Sequence, residues 1–412
     1  MRKVILAILI LVLLGWTGVQ SGISAQSSQS GKVVVTFEND VATLDPAIGY
    51  SWTNWTIIQA MFDGLMGYVP GTTQLEPILA KNYTISPDGL TYTFELRKGI
   101  KFQDGTDFTA KDVQYSMLRM LNPKTESPGT SFYGNIKGAP AYIQGKAKDI
   151  LGIKVLGPYG IQFTLIKPDA TFLNKLALNF AFVVPSKEVE KYGKDFGHHP
   201  VGTGAFEFKE WLLGRELILV KNSHYFINDE PKVNEIVFQF GVDPNVAFLR
   251  YMRGQVDILG NGIPSAQFQK VMTDPKLSKL VAISNQLETS YVTLNTTIKP
   301  LDNVDVRQAL NMAINRTPIL RVINNRAQPA YQILPPGMPG YSKNYKGFPY
   351  DPKKAKELLA KAGYPNGFNS VLYTSNVSPN PRIAQVIQEQ LAQIGVKVQI
   401  KSLSPSTVIE AA

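Results

Sequence analysis

The sequence contains no cysteine and only three histidines among its 412 residues. The lack of cysteine excludes disulfide bonds, thiol chemistry, Cys-based metal sites and the lipid-carrying cysteine of bacterial lipoproteins. With so few histidines, we expect neither a structural zinc site nor a histidine-based catalytic triad. His198 and His199 are neighbours, and adjacent side chains in a strand or loop point apart. We therefore predict surface or packing roles for both.

The common catalytic motifs are missing as well. There is no Gly-x-Ser-x-Gly elbow and no His-Glu-x-x-His helix. Gly202-Thr203-Gly204 forms a glycine-rich turn, but no phosphate-binding pattern follows it. Asp and Glu are numerous enough that a glycosidase-like carboxylate pair stays open, although no position points to one. We expect no enzymatic activity, no cofactor and no metal.

Positive charge is in excess but not concentrated in the sequence. The formal net charge is +10, and the Lys and Arg residues are scattered without a dense basic tract. This pattern favours a basic solvated surface and argues against nucleic-acid binding. The hydrophobic fraction of 44% and the charged fraction of 18% are ordinary for a globular protein.

The N-terminus has the features of a secretory signal peptide. Arg2 and Lys3 precede an apolar run over 4–14, and small and polar residues follow to Ala25. We predict a signal peptide over 1–25, cleaved after Ala25. The apolar run is short for a membrane span, so an uncleaved anchor is the less favoured alternative. The remaining length is enough for two or three domains.

Helical and strand patterns mix along the chain, which predicts an α/β fold. Thr109-Ala110-Lys111-Asp112 has the spacing of a capping box and predicts the start of a helix. The period of apolar residues predicts a helix over 55–66, and alternation predicts a strand over 290–294. Trp211 lies in a strand-rich segment and is expected to pack there, while Arg307 is expected to form a structural ion pair.

Several segments together resemble the extracytoplasmic solute-binding proteins of family 5, the dipeptide- and oligopeptide-binding group. Each motif is weak alone, and their shared order and spacing carry the resemblance. The motifs are Leu44-Asp45-Pro46, Ser86-Pro87-Asp88-Gly89-Leu90, Phe102-Gln103-Asp104-Gly105-Thr106, Pro200-Val201-Gly202-Thr203-Gly204-Ala205-Phe206, Val306-Arg307-Gln308-Ala309-Leu310 and Tyr350-Asp351-Pro352-Lys353-Lys354. Ala205-Phe206 stands where the family has Pro-Tyr.

The resemblance implies a periplasmic-binding-protein-like, type II bilobal fold with an extra domain inserted in lobe one. Lobe one would comprise 26–50 and 200–264, the inserted domain 51–199, and lobe two 265–412. A hinge crossing is expected at 286–295. Family members usually continue past the position of Ala412, through more of lobe two, so the resemblance implies that lobe two is incomplete in this chain.

The function implied is capture of a peptide between the two lobes and its delivery to the permease subunits of an ABC importer. The protein would be extracytoplasmic or periplasmic, secreted without a lipid, monomeric, and would catalyse no reaction. Two alternatives stay open: the same scaffold binding an oligosaccharide, and a secreted hydrolase.

The resemblance also places three groups of residues at the ligand site. They combine aromatic walls with a few polar groups, as ligand sites do. The 375–378 loop has no Arg or Lys to hold the carboxylate of a short peptide, which favours a longer peptide or a neutral ligand. The candidates are Tyr50, Ser51, Trp52, Tyr331, Ser375, Asn376 and Val377. For Trp52, a core position beside Trp55 is the alternative.

Overall fold

A computed structural model describes residues 31–282, 287–338, 340–404 and 407–408 of the chain. The chain divides into two compact units with the boundary between Gly262 and Ile263, called unit 1 and unit 2 below. None of the helices within the described ranges is long and apolar enough to cross a membrane.

Strands and helices alternate in both units, as the α/β prediction requires. The strands are β1 Lys32–Thr36, β2 Met66–Tyr68, β3 Leu75–Pro77, β4 Ala80–Ile85, β5 Thr91–Leu96, β6 Ile153–Val155, β7 Gly160–Thr164, β8 Phe206–Leu212, β9 Glu216–Lys221, β10 Glu235–Gln239, β11 Ile258–Leu259, β12 Asn369–Ser375 and β13 Lys397–Leu403. The α-helices are α1 Trp52–Met61, α2 Ala110–Leu121, α3 Thr130–Tyr133, α4 Ala139–Ile143, α5 Phe172–Lys175, α6 Ser186–Tyr192, α7 Pro244–Met252, α8 Ser265–Thr273, α9 Val304–Met312, α10 Arg316–Val322, α11 Pro352–Lys361 and α12 Asn380–Ala392.

Unit 1 contains a five-stranded mixed sheet in the order β11-β1-β10-β9-β8. β1 is parallel to both β10 and β11, and the remaining pairs are antiparallel. Helix α1 packs on this sheet because Ile57, Ile58 and Met61 lie on its buried side. These residues, with Phe37, Leu44, Phe62, Phe196, Leu217, Leu219 and Phe238, form what we call the five-strand core.

A second sheet in unit 1 is antiparallel, with the order β4-β5-β7-β6. Helix α2 turns its apolar side, Val113, Met117 and Met120, toward it. With Tyr92, Phe94, Phe163 and Phe172, these residues belong to what we call the four-strand core. The domain boundaries predicted within residues 26–264 stay predictions.

Unit 2 is built on the parallel pair β12 and β13, joined by α12. Helices α9 and α11 pack on each other through Val306, Ala309, Ala355 and Leu359. Leu391, on α12, and Ile394 and Val396, in the turn before β13, complete this apolar cluster.

Local signals predicted the start of α2 but not the bounds of α1. The helix α2 begins at Ala110, and the Asp112 carboxylate accepts hydrogen bonds from the Thr109 backbone N–H and hydroxyl, both at 2.8 Å. The helix α1 begins three residues before and ends five residues before the predicted 55–66. Its N-cap is Ser51, and Phe62 is already extended.

Two local predictions in unit 2 are wrong. Residues 290–294 form no strand, because no described strand pairs with them, and Tyr291 and Val292 are exposed. Arg307 donates through Nη1 to the backbone carbonyls of Leu301 (2.8 Å) and Asp302 (3.0 Å) rather than to a carboxylate. The predicted hinge at 286–295 stays a prediction, and its residue 286 lies outside the described residues.

The residues with predicted packing roles do pack in unit 1. Trp211 is half-buried beside the five-strand core and donates through Nε1 to the Asp40 carboxylate at 3.2 Å. His198 stacks on Trp211 at 5.0 Å between ring centroids, and His199 stacks on Tyr192 at 4.1 Å.

The Gln103 side chain joins two of the motifs on which the family resemblance rests. Its Nε2 donates to the carbonyls of Met61 (3.1 Å), Gly204 (3.3 Å) and Phe206 (2.7 Å), and its Oε1 accepts from the Gly202 N–H at 2.9 Å. A Cβ on Gly202 or Gly204 would overlap the Met61 backbone, so the approach requires glycine at both positions. Gln103 therefore fixes the end of α1 against the start of β8.

Replacing the Gln103 side chain should destabilise the folded chain without changing its secondary structure. We expect Gln103→Ala to lower the free energy of unfolding by about 2 to 4 kcal/mol, because several backbone groups lose their partner at once. Urea unfolding followed by circular dichroism measures the change. Gln144→Ala, at an exposed position, is the matched control and should stay within about 0.5 kcal/mol. Equal stabilities of the two variants would contradict the role assigned to Gln103.

Candidate functional site

The candidate ligand residues 50–52 and 375–377 follow strands that belong to parallel pairs. In unit 1, the segment that ends in Tyr50, Ser51 and Trp52 leaves the carboxyl end of β1, which is parallel to β10 and β11. In unit 2, Ser375 ends β12, and the loop after it leads into α12. Open α/β sheets bind ligands outside the carboxyl ends of their parallel strands.

A buried ion pair fixes the turn between β1 and α1. The Arg119 guanidinium, on α2, donates through Nη1 to Asp45 Oδ1 at 2.9 Å and through Nη2 to Asp45 Oδ2. Asp45 Oδ1 also accepts from the Ala47 N–H at 3.0 Å. The same guanidinium lies 5.4 Å from the centre of the Phe196 ring. Asp45 thus ties the turn to a helix of the four-strand core, through a contact that sequence reasoning missed.

The start of α1 is held by Ser51 and Asn54. The Ser51 Oγ accepts from the Asn54 N–H at 3.1 Å and donates to Asn54 Oδ1 at 2.6 Å. The buried Asn54 side chain donates in turn to the carbonyl of Thr43. The Ser51 hydroxyl is therefore an N-cap that sets the direction of its neighbours Tyr50 and Trp52.

The two aromatic candidates of unit 1 differ in their surroundings. The Tyr50 ring lies 5.7 Å from Trp55 and 5.5 Å from Phe180, and Phe180 also stacks on Phe132 at 5.9 Å. Tyr50 is thus the exposed edge of an aromatic cluster. Trp52 is 70% exposed, which rules out the alternative that it is a core residue. A side chain so exposed at the start of a helix is available to stack on a ligand.

The 375–377 loop presents polar groups beyond the end of β12. The Asn376 N–H donates to the carbonyl of Leu403, on β13, at 2.7 Å. The Ser375 Oγ accepts from the Val377 N–H at 3.1 Å and so fixes the turn. The Asn376 side chain is exposed, and Val377 is half-buried.

Tyr331 belongs to a separate group in unit 2. The Arg316 guanidinium covers its ring at 4.9 Å from the ring centre. Asn315, the residue before Arg316, exchanges hydrogen bonds with Gln390, near the C-terminal end of α12. The 375–377 loop, in contrast, leads into the N-terminal end of the same helix. The contacts that hold Tyr331 and the 375–377 loop therefore lie at opposite ends of α12.

The described residues show no arrangement that would hold a metal ion. Among them there is no suitable group of three or more His, Asp or Glu side chains. His198 and His199 both lie near Asp195, with Nδ1 at 2.9 Å and Nε2 at 3.4 Å from its two carboxylate oxygens.

The carboxylate of Asp63, just after α1, lies in a partly buried position. Its Oδ2 accepts from the Thr203 hydroxyl at 2.9 Å, and its Oδ1 accepts from the Tyr225 hydroxyl at 3.5 Å. Burial raises the pKa of Asp63 to about 6, although the two hydrogen bonds oppose this shift. Burial raises the pKa of Tyr225 too, and the neighbouring Asp63 adds to that shift. Asp63 was not predicted, because its partners lie more than 100 residues away in sequence.

With the fold and these positions known, comparison with other proteins identifies the class. Residues 74–412 match the family described as bacterial extracellular solute-binding proteins, family 5 Middle. The match covers well over half of the chain, so the chain belongs to the family 5 extracellular solute-binding proteins, and the prediction from its motifs is confirmed.

Individual relatives cover most of the chain. It is 34% identical over 389 residues to the glutathione-binding protein GsiB of Escherichia coli O6:K15:H31, a match to 94% of this chain and 72% of GsiB. Its structure is similar to the ABC transporter-associated periplasmic binding protein DppA of Helicobacter pylori, solved with the peptide STSA. That match has 30% identity and a TM-score of 0.80, and it covers 92% of this chain and 75% of DppA.

A third relative was solved with a different ligand. AgaA of A. tumefacien R10, in complex with agropinic acid, has 29% identity and a TM-score of 0.79, covering 93% of this chain and 74% of AgaA. These structural similarities confirm the α/β, type II bilobal fold class.

The environment of Asp63 makes stability depend on pH. The folded chain binds the Asp63 proton more tightly than the unfolded chain does, so stability falls as pH rises from about 4 to about 6. The shift of the pKa corresponds to at most about 3 kcal/mol. Asp63→Asn should remove this loss, so its stability relative to the unmodified chain should rise by up to about 3 kcal/mol between pH 4 and pH 7.

Urea unfolding at both pH values tests this prediction. The control is Asp302→Asn, where an exposed carboxylate is replaced and no comparable change is expected. A constant stability difference between Asp63→Asn and the unmodified chain at the two pH values would contradict the prediction.

Proposed function

We propose that the chain is the solute-binding component of an ABC importer, and that it captures peptides and delivers them to the permease subunits. The similarity to GsiB over 94% of the chain carries this proposal. It is supported by DppA, an ABC transporter-associated relative with a bound peptide. We also propose that the protein works outside the cytoplasmic membrane, in the periplasm or an equivalent space, which the predicted signal peptide supports, and without a lipid anchor, because the sequence has no cysteine. We further propose that it acts as a monomer, independently of nucleic acid.

The proposed ligand contacts are the residues that the family resemblance indicates. Trp52 and Tyr50 would provide aromatic surface for side chains of the peptide, and Tyr331 would provide a third ring. Ser375 and Asn376 would provide hydrogen bonds from the carboxyl end of β12. Val377 would add an apolar contact, and Ser51 would act through its cap on α1.

Binding of an oligosaccharide is the second candidate. An exposed Trp52 is suited to stack on a sugar ring, and the 375–378 loop has no cation for a carboxylate. The relative AgaA, in complex with agropinic acid, indicates that the scaffold is not restricted to the peptides bound by other members. We prefer a peptide ligand because GsiB is named for binding glutathione and DppA was solved with a peptide. Both are more similar to this chain in sequence than AgaA is.

No reaction is proposed. The family is one of solute-binding proteins, and a secreted hydrolase of the glycosidase type would require a pair of carboxylates in a shared site. The most perturbed carboxyl group of unit 1, Asp63, is enclosed by the protein hydroxyls of Thr203 and Tyr225. Its surroundings serve the packing of α1.

A thermal-shift screen of the chain from Gln26 onward tests the ligand class. A ligand at a hundredfold excess over its Kd should stabilise the folded state by about 2.7 kcal/mol. We expect a concentration-dependent rise of the unfolding midpoint with peptides of three or more residues and none with oligosaccharides. A rise with oligosaccharides alone would support the second candidate, and a ligand recovered chemically changed would support the hydrolase.

Trp52→Ala separates a ligand contact from a structural role. Because the Trp52 side chain is largely exposed, the variant should keep its unfolding midpoint within about 2 °C in the absence of ligand. Loss of a stacking contact should weaken the affinity for the peptide at least about tenfold, measured by isothermal titration. Leu213→Ala, at another highly exposed apolar position of unit 1, is the control and should bind as the unmodified chain does. Unchanged affinity of Trp52→Ala would remove Trp52 from the site.

A further inference from the structure

The net charge of the chain is concentrated in unit 2. Residues 263–412 contain 17 Lys and Arg against 8 Asp and Glu, a formal net charge of +9. Residues 1–262 contain 25 Lys and Arg against 24 Asp and Glu, a net charge of +1. The two units therefore generate different electrostatic fields, and unit 2 alone attracts anions over a distance.

Part of this charge lies on α11 and on the loop directly before it, whose exposed lysines and tyrosines we call the Lys–Tyr surface. Its four lysines and two tyrosines are all exposed, with Tyr345 at 52% and Tyr350 at 46%. The loop is held by Gln332, whose side chain bonds the backbone of Ser342 at 2.8 and 3.2 Å. The residues of the surface are Lys343, Tyr345, Lys346, Tyr350, Lys353 and Lys356.

Helix geometry directs the two helical lysines of this surface to one flank of α11. Ala355 and Leu359 face the apolar cluster of unit 2. Lys353 and Lys356 are three residues apart, so they are neighbours about 4.5 Å apart along the helix axis. Both lie on the side of α11 that faces away from the apolar cluster. Ala360, the next residue on that flank, is uncharged.

The carboxylates near the Lys–Tyr surface form ion pairs or hydrogen bonds with groups outside its four lysines. Glu357 pairs with Lys354 at 3.0 Å, and Asp305, on α9, pairs with Lys361 at 3.0 Å. The Asp351 carboxylate caps α11 by accepting from the Lys354 N–H at 2.8 Å. Within the described parts of the chain, the four lysines of the Lys–Tyr surface have no ion-pair partner. Their charge is therefore available to a partner molecule.

We propose that the Lys–Tyr surface binds the anionic headgroups of a lipid bilayer. Clusters of four to eight basic residues at a membrane surface are attracted by anionic lipids, and tyrosine side chains favour the level of the headgroups. The flexible side chains of its lysines suit a fluid array of anions. Contact with a bilayer would hold the protein near a membrane transporter, so this consequence rests on the proposed importer function, whereas the binding itself does not.

Flotation with lipid vesicles tests the proposal. The chain from Gln26 onward is used, so that the apolar segment at 4–14 does not itself partition into lipid. We expect binding to vesicles with about 30% phosphatidylglycerol in phosphatidylcholine, and none to phosphatidylcholine alone. Raising the salt from about 50 to about 300 mM should release the protein, because the screening length falls below the reach of the lysine side chains.

Two variants with the same loss of charge locate the binding surface. Removal of the four surface lysines by K343Q, K346Q, K353Q and K356Q should lower the partition coefficient at least about tenfold. The control removes four exposed and unpaired lysines of unit 1 by K146Q, K148Q, K167Q and K187Q, and should lower the coefficient less than about twofold. Both variants should keep the unfolding midpoint and the peptide response of the unmodified chain.

Three outcomes would overturn the proposal: no binding to either vesicle, equal binding to both, or an equal loss in the two variants. The first outcome would leave an acidic protein as the partner of the surface. Because the vesicles contain no transporter, none of these outcomes depends on whether the chain imports peptides. Loss of the thermal shift with every peptide would count against the proposed function alone.

Discussion

The ion pair between Asp45 and Arg119 determines where the candidate site of unit 1 can form. Asp45 is buried and the Arg119 side chain is largely shielded from water, at a cost that is offset by the bidentate contact and by the Ala47 N–H. Removing one partner of such a pair leaves an uncompensated charge, which typically costs about 3 to 5 kcal/mol. The turn after β1 is thereby locked to α2, although the two segments are 74 residues apart.

The other contacts of α1 become possible once this turn is fixed. Asn54 reaches back to the Thr43 carbonyl, and Ser51 caps the helix. Gln103 and Asp63 then hold the opposite end of α1 against the segment before β8. Trp52 is left outside this network, at the point where the chain enters the helix. Its exposure follows from contacts that its neighbours make.

Short-range signals in the sequence predicted the features that depend on interactions between neighbouring residues, such as the start of a helix. The capping pattern at Thr109 predicted the start of α2 at Ala110. The period of apolar residues around α1 continued to Leu65, because Leu65 reaches the four-strand core from the extended segment after the helix. Periodicity alone cannot distinguish these two ways of burying an apolar side chain.

The same short-range signals could not predict contacts between residues that lie far apart in the sequence. Asp45 belongs to the motif Leu44-Asp45-Pro46, but nothing near it in the sequence indicates Arg119 as its partner. The strand predicted at 290–294 has the right alternation but no described neighbour to pair with. The family resemblance supplied the class and the candidate positions 50–52 and 375–377, and the parallel strands preceding them explain why those positions suit a ligand site.

The position of β1 in its sheet also governs how the chain acquires its fold. Both partners of this strand, β10 and β11, are encoded roughly 200 residues after it. At a synthesis rate of about 5 to 20 residues per second, the strand waits on the order of 10 to 40 s for them. During that time Lys32-Val33-Val34-Val35-Thr36-Phe37 is a β-prone segment with open edges, of the kind that associates between chains. A chain that folded during its synthesis would therefore need its N-terminal strand kept from self-association until both partner strands had appeared.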